Sequence, residues 1–190
     1  MPKLTELILC RHGETSWSLS GQHTGLTDLP LSDIGVVQAT RLKGVLAELA
    51  VDHVFVSPLL RAKQTCALAG FEARAIIAPE AAEWDYGEYE GLTHAQISAK
   101  TPSWDLFTQG TPHGESAQQV AKRADQLIKR CQGKVLIFSH GHFLRMLAAR
   151  WLRMAPEGGK LFSLSVASVS VLGWEREQPV IKLWNGLTLR

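Results

Sequence analysis

Residues Leu7-Ile8-Leu9-Cys10 form a run of four apolar residues that passes without a spacer into Arg11-His12-Gly13. The run has the length of a short buried strand, and the polar residues stand where such a strand would leave the core. In an open α/β sheet, ligands bind beyond the carboxyl ends of the parallel strands. A strand of this kind delivers a cation and a nucleophile or base to that rim. The chain then repeats the arrangement. His53-Val54-Phe55-Val56 reads as a second strand, ending in Ser57-Pro58-Leu59-Leu60-Arg61. Ala75 to Ala78 is a third, stopped by Pro79, with Glu83 just beyond. Lys134-Val135-Leu136-Ile137-Phe138-Ser139 is the clearest strand in the chain and runs into His140-Gly141-His142.

Between the strands the periodicity becomes helical. Ser32 caps a helix from about Asp33 to Leu49, with Ile34, Val37, Leu42, Val45, Leu46 and Leu49 on or near one face. Pro58 suits a first helical position, so the next helix runs to about Ala69 and sets Arg61 near its N-terminus. Gly114-Glu115-Ser116 opens a long helix to about Arg130, and a helix after His142 turns Leu144, Leu147, Ala148, Trp151 and Leu152 inward. Glu14 to Pro30 reads as a long loop, of the kind that in compact domains tends to be functional or mobile. Trp84 to Gly114 reads as a partly helical excursion over the sheet edge. Ala167 to Trp174 and Val180 to Asn185 read as a hairpin turning at Glu175 to Pro179. The alternation predicts an α/β fold: a three-layer α/β/α sandwich around a mainly parallel sheet, with an antiparallel C-terminal hairpin. At 190 residues, the expectation is a single domain over 1–190.

Composition narrows the function. A net charge of +2 implies neither a nucleic-acid nor a membrane surface. No apolar run reaches the ~18 residues that a membrane span needs. The short N-terminal apolar run breaks at Arg11-His12-Gly13, which is not the pattern of a signal peptide. Cys10, Cys66 and Cys131 are odd in number and lack paired spacing, so they read as reduced, mostly buried thiols of a cytoplasmic protein.

In a parallel sheet the strand ends share one rim, so Arg11, His12, Ser57, Arg61, Glu83, Ser139 and His140 converge. Each type has a role if the ligand is a phosphate. Arginine forks match phosphate oxygens. Helix N-termini after the second and fourth strands add N–H donors. A neutral histidine is a competent nucleophile for phosphorus, and nearby arginines help to keep His12 neutral. A carboxylate such as Glu83 can protonate a leaving oxygen. The rival is a metal held by His12, His140 and His142, which the two arginines would repel; no metal and no cofactor are expected. His23, His53, His94 and His113 carry no spacing signal and read as surface or loop residues. Trp151 and Trp184 read as core, while Trp17, Trp84 and Trp104 either wall the pocket or pack the loops around it.

The motifs Arg11-His12-Gly13-Glu14-Thr15, then Ser57-Pro58-Leu59-Leu60-Arg61-Ala62-Lys63-Gln64-Thr65, then Glu83 before Tyr86-Gly87-Glu88-Tyr89-Glu90-Gly91, then Ser139-His140-Gly141, occur in an order that resembles the histidine phosphatase superfamily, with its phosphoglycerate-mutase-like fold. The resemblance covers about Leu7 to Arg145. It implies a phosphohistidine on His12, a phosphoryl group held by Arg11, Arg61 and His140, and Glu83 as general acid/base. Thr24-Gly25-Leu26-Thr27-Asp28 is similar to the family's substrate loop, which makes Thr24 and Gly25 candidate binding residues together with Ser18 and Gly141; Ser18 stands where the mutases usually carry an asparagine. Thr24 to Leu31 and Glu83 to Gly91 look most like the sugar-phosphatase branch that includes sedoheptulose-1,7-bisphosphatase. The expectation is therefore a metal-independent phosphomonoesterase acting on a small phosphorylated metabolite, a sugar phosphate by preference. The alternatives are a phosphoglycerate-type mutase and a non-catalytic phospho-ligand binding module. Trp84 and Asp85 follow Glu83 where the mutases carry basic residues, and Lys100 is the only lysine or arginine between Glu83 and Gly114. The far side of the pocket is accordingly expected to be short of positive charge and open to water. The sequence leaves the oligomeric state open, a homodimer included.

Overall fold

In the computed structural model, which describes residues 3–47 and 49–186, the apolar runs become six strands: β1 (Leu4–Arg11), β2 (His53–Val56), β3 (Ala75–Ile77), β4 (Gly133–Ser139), β5 (Val169–Glu175) and β6 (Gln178–Gly186). They form one sheet in the order β3-β2-β4-β1-β5-β6. The first four are parallel, and β5 and β6 close the sheet as an antiparallel hairpin. The register sets Arg11 opposite Ser139 and Val56 opposite Phe138, so the residues that follow β1, β2 and β4 emerge together. Just past β1 and β2 the pairing continues: the His12 N–H donates to the Ser139 carbonyl at 3.0 Å, and the Ser57 N–H to the Phe138 carbonyl at 3.0 Å.

Successive strand side chains point to opposite faces, and the two faces build two cores. Leu7, Leu9, Val135 and Ile137 face α6 (Ala117–Arg130), α7 (Gly141–Trp151) and the excursion around Trp84 to Phe107. Ile8, Cys10, Leu136 and Phe138 face α2 (Asp33–Ala47) and α3 (Leu60–Leu68). The central strands are buried on both sides, so their sequence reads as continuous apolar runs rather than as alternation.

Several local expectations change. The loop Glu14 to Pro30 contains a short helix, α1 (Ser16–Ser20), which Thr15 and Ser18 close with a reciprocal capping box. Pro58 lies outside its helix: Leu59 is the N-cap and α3 starts at Leu60, which places Arg61 in the first turn. The Trp84 to Gly114 excursion holds α4 (His94–Lys100) and α5 (Leu106–Gln109). Trp184 is only partly buried at the margin of the core, because β6 is an edge strand. The inward face of α2 is Gly35, Ala39, Leu42 and Leu46, whereas Ile34 and Val37 are exposed. The turn after β1 causes this difference. Ser32 caps α2 by accepting from the Gly35 N–H at 3.0 Å, and the Ser32 N–H donates to the Glu14 carbonyl at 2.9 Å. The Glu14 N–H reaches Gln38 Oε1 at 2.9 Å. The backbone at Gly13-Glu14 thus lies directly on α2, and only a glycine fits beneath it.

This contact separates two glycines of one helix. A Cβ on Gly35 would sit 2.1 Å from the Glu14 carbonyl oxygen, whereas a Cβ on Gly44 meets nothing within 4 Å. Gly→Ala in a helix interior gains up to about 1 kcal/mol from propensity alone, and overpacking costs about 1–3 kcal/mol. Gly44→Ala should therefore raise the urea midpoint and Gly35→Ala should lower it. Equal shifts in the two variants would show that the close approach does not constrain the fold.

Candidate active site

The pocket at the strand ends has a volume of about 190 Å³ and is lined by His12, Arg11, Glu83, Gly141, Ser18 and Thr24 from the expected set. Gly21, Gln22, His23, Tyr86, His142, Arg145 and Leu164 complete the lining. Arg61, His140 and Gly25 do not line it: Arg61 and His140 are fully buried behind it, where the Arg61 charge acts on His12 and the His140 ring lies beside the His12 ring.

His12 is held in one protonation state. Its Nδ1 faces the Gly13 carbonyl at 2.6 Å, and a carbonyl only accepts, so Nδ1 carries the proton and Nε2 keeps the lone pair. Burial, then the Arg61 and Arg11 charges, push the imidazole well below its ordinary value and keep it neutral. His140 stacks obliquely beside it with ring centroids 5.2 Å apart. Its Nε2 lies 2.6 Å from Ser57 Oγ, which already accepts from the Leu59 N–H at 3.3 Å. The buried Ser57 proton has no other acceptor within reach among the described residues, so it goes to Nε2 and the neutral His140 carries its own proton on Nδ1. Burial and the Arg61 charge depress His140 as they do His12.

Arg61 is met by carbonyls. Its Nη1 donates to Thr27 O at 3.0 Å, and Nη2 donates to Thr24 O and Gly25 O at 3.0 and 2.9 Å. Glu90 holds the same loop by accepting from the Gly25 and Thr27 N–H groups. Arg11 is fixed by donation from Nη1 to the Leu164 carbonyl. Among the described residues, three buried side-chain nitrogens have no partner: Arg11 Nε, Arg61 Nε and His140 Nδ1. By the assignments above, all three are N–H donors. Buried donors are normally paired, so three in one place around the His12 ring fit an anion with several acceptor oxygens. A metal fits poorly: His142 spends its Nδ1 on Tyr86, and among the described residues no group of three histidine, cysteine or acidic side chains is arranged to hold an ion.

Glu83 sits at the N-terminus of α7. Its Oε1 accepts from the Trp84 and Phe143 N–H groups at 2.9 and 2.8 Å, and Oε2 accepts from the His142 N–H at 3.1 Å. The segment that carries it is pinned by Arg123, which donates to the Glu80 and Ala82 carbonyls and pairs with Glu115 through two bonds of 2.7 and 2.6 Å. Ser139 Oγ adds a bond to Ala81 O at 2.7 Å.

Ser18 lines the pocket with a hydroxyl engaged in the α1 cap, accepting from Thr15 N and donating to Thr15 O. Gly141 lets Arg11 approach: a Cβ there would lie 3.2 Å from the guanidinium carbon. None of the three loop tryptophans lines the pocket. Trp84 is fully buried against Phe107, Trp104 is buried with its Nε1 on Gly110 O, and Trp17 covers Gly91. His23, read as a surface or loop residue, is part of the lining, whereas His53, His94 and His113 are not. The expected shortage of far-side cations is also corrected. Arg145 lines the pocket, stacked 4.7 Å over the Phe107 ring and bonded to the Gly159 and Lys160 carbonyls. It comes from α7 rather than from the Glu83–Gly114 stretch. Helical spacing was the signal available, since Arg145 follows Gly141 by four residues.

The chain is similar to several known proteins. The model of the histidine phosphatase superfamily (branch 1) matches residues 7–186. An acid phosphatase of Mycobacterium tuberculosis is 42% identical over 176 residues, covering 89% of this chain and 86% of that protein. Sedoheptulose 1,7-bisphosphatase of Saccharomyces cerevisiae is 34% identical over 193 residues, covering 83% and 71%. The solved structure of an open reading frame from Mycobacterium tuberculosis superposes with a TM-score of 0.91 at 39% identity, covering 95% of this chain and 97% of that one.

Three imidazoles held neutral by burial (His12, His140 and His142) tie stability to pH. The unfolded chain takes up protons at these groups near pH 6.5 while the folded chain does not, so stability is lost as pH falls below that value. Each should remove up to about 1.4 kcal/mol between pH 7.5 and 5.5. Urea unfolding at the two pH values should show a lower midpoint at 5.5. An unchanged or higher midpoint would mean that these histidines are protonated in the fold.

Proposed function

We propose that this chain, which belongs to the histidine phosphatase superfamily, is a phosphomonoesterase that hydrolyses a small phosphorylated metabolite through a phosphohistidine on His12. One observation carries the reading: His12, with its lone pair on Nε2, lies beside Arg11, Arg61 and His140, each of which has a buried side-chain N–H with no partner among the described residues. A phosphoryl group supplies acceptors for those donors and an electrophile for that nitrogen. The relatives that act as an acid phosphatase and a sugar bisphosphatase support the same class of reaction.

The reaction runs in two steps. His12 Nε2 forms a bond to phosphorus as the ester P–O bond breaks, and protonated Glu83 gives its proton to the departing alkoxide. A water then attacks the phosphohistidine, giving its proton to Glu83 while the P–N bond breaks and phosphate leaves. Arg11, Arg61 and His140 hold the equatorial oxygens through both steps, where donors fixed in advance contribute most because nothing has to reorganise. The helix-end N–H groups that hold Glu83 fix its direction towards the pocket. Guanidinium and imidazole groups do the work that a metal does in other phosphatases, so no metal is needed. We read 1–190 as one such domain. Its three buried free cysteines suit the cytoplasm.

His12→Ala should abolish turnover, and wild-type protein quenched mid-reaction should carry phosphate that is labile in acid and stable in base. Full activity in His12→Ala would overturn the mechanism. Glu83→Gln should slow phosphorylation by a sugar phosphate by ~10²–10⁴, and phosphorylation by an aryl phosphate less, because the aryl leaving group needs little protonation. Equal losses in single-turnover kinetics would remove Glu83 from the acid role. Phosphate release should exceed transfer when 3-phosphoglycerate with 2,3-bisphosphoglycerate is assayed beside sugar mono- and bisphosphates. Transfer outrunning release by orders of magnitude would make the protein a mutase, with Arg145 as part of the second anion site.

A further inference from the structure

The wall of the pocket beyond the phosphoryl site contains two imidazoles in opposite tautomers. His23 Nδ1 lies 2.9 Å from the Leu92 carbonyl, so Nδ1 carries the proton and the neutral ring keeps its lone pair on Nε2. His142, in the first turn of α7, meets the Tyr86 hydroxyl through Nδ1. Tyr86 is buried, and burial raises its phenol well above the ordinary value, so it stays protonated. Among the described residues its hydroxyl has no other partner, so it donates to His142 Nδ1 and the imidazole proton lies on Nε2. Burial keeps both rings on the neutral side. The two rings are parallel within 3°, with centroids 5.9 Å apart. Neither Nε2 bonds to a described residue, and neither is sealed inside the protein. The wall thus presents one acceptor and one donor, both fixed from behind.

We propose that His23 and His142 together read a hydroxyl group on the carbon chain of the substrate. This inference rests on the phosphatase reading above and names a specificity element within it. A hydroxyl accepts from the Nε2–H of His142 and donates to the Nε2 of His23. An ether or ketone can satisfy only the first, an ammonium only the second, and a deoxy carbon neither. A substrate that lacks the hydroxyl leaves both nitrogens desolvated and unpaired, which is how sites built to bond a hydroxyl reject its absence. The class selected is a phosphorylated polyhydroxy compound, and aryl and alkyl phosphates fall outside it. Tyr86 is a positioning residue here, because it sets which His142 nitrogen faces the ligand.

Two measurements test this. Long-range ¹⁵N–¹H correlation spectra of the wild-type protein at neutral pH should show His23 protonated on Nδ1 and His142 on Nε2. The same tautomer on both rings would overturn the proposal without any variant. Next, kcat/KM is compared for sugar and polyol monophosphates and their monodeoxy analogues, with an aryl phosphate as a reference. At one hydroxyl position the wild type should prefer the hydroxylated compound by roughly 10- to 100-fold, as two hydrogen bonds of ordinary strength allow. His23→Phe, His142→Phe and Tyr86→Phe should each bring that ratio towards one, whatever happens to the absolute rates. A wild-type ratio near one at every position, or ratios unchanged in the three variants, would overturn the inference while phosphate release continued. Failure of the wild type to release phosphate from any compound would instead sink the phosphatase reading on which it rests.

Discussion

The pocket is organised by a buried guanidinium that has no carboxylate bonded to it among the described residues. Arg61 is fully buried, and its hydrogen bonds go to the carbonyls of Thr24, Gly25 and Thr27. A buried charge without compensation costs several kcal/mol, and bonds from a charged donor return about 1.5–3 kcal/mol each. The loop is therefore wrapped around the cation, with its carbonyls turned inward. That turn leaves N–H groups on the other side, which Glu90 collects at Gly25 and Thr27. Asp28 completes the wrap by accepting from the Leu60 N–H at the start of α3. A segment rich in glycine and threonine becomes a rigid wall because one side chain beneath it has to be solvated by protein.

The same buried charge acts on His12 and His140. Burial disfavours a cation on each imidazole behind or along the pocket, and arginine charges add to this at His12, His140 and His142. Neutrality makes each ring directional, with one nitrogen giving and one receiving. The backbone or a buried hydroxyl then chooses the tautomer: Gly13 O for His12, Ser57 for His140, Leu92 O for His23 and Tyr86 for His142. On the proposed reading, this converts four similar side chains into a nucleophile, an oxyanion donor and a hydroxyl-reading pair.

The cost of this arrangement falls on stability. Donors left unpaired at Arg11 Nε, Arg61 Nε and His140 Nδ1 are a debit in the free protein, and a phosphoryl group relieves it. Strain is avoided by putting the site on stiff supports. Strands β1, β2 and β4 fix Arg11, Ser57 and Ser139 by register, α7 fixes Glu83 by its N–H groups, and the Arg123–Glu115 pair holds the segment leading into it.

The amino-acid sequence by itself determined the sheet and its rim. Short apolar runs that end on Arg11-His12, Ser57 and Ser139-His140, alternating with helical periodicity, read as central parallel strands, and parallel strands put their carboxyl ends on one edge whatever the loops do. Periodicity could not say which face of α2 turns inward, because the selection is made by the Glu14 carbonyl lying on Gly35 and not by hydrophobicity; Ile34 and Val37 lose to a glycine. Nor could spacing assign His23 and Tyr86 to the pocket, and for Arg145 it gave only a shared helix face with Gly141. Their places depend on long-range contacts that have no local signature: the bridge between Gln22 and Thr93, the His23–Leu92 bond, and the stacking of Arg145 on Phe107. The residues of the rim were legible because topology alone brings them together. The wall facing them, and the protonation state of every ring in it, were decided only when the two excursions closed over the buried arginine.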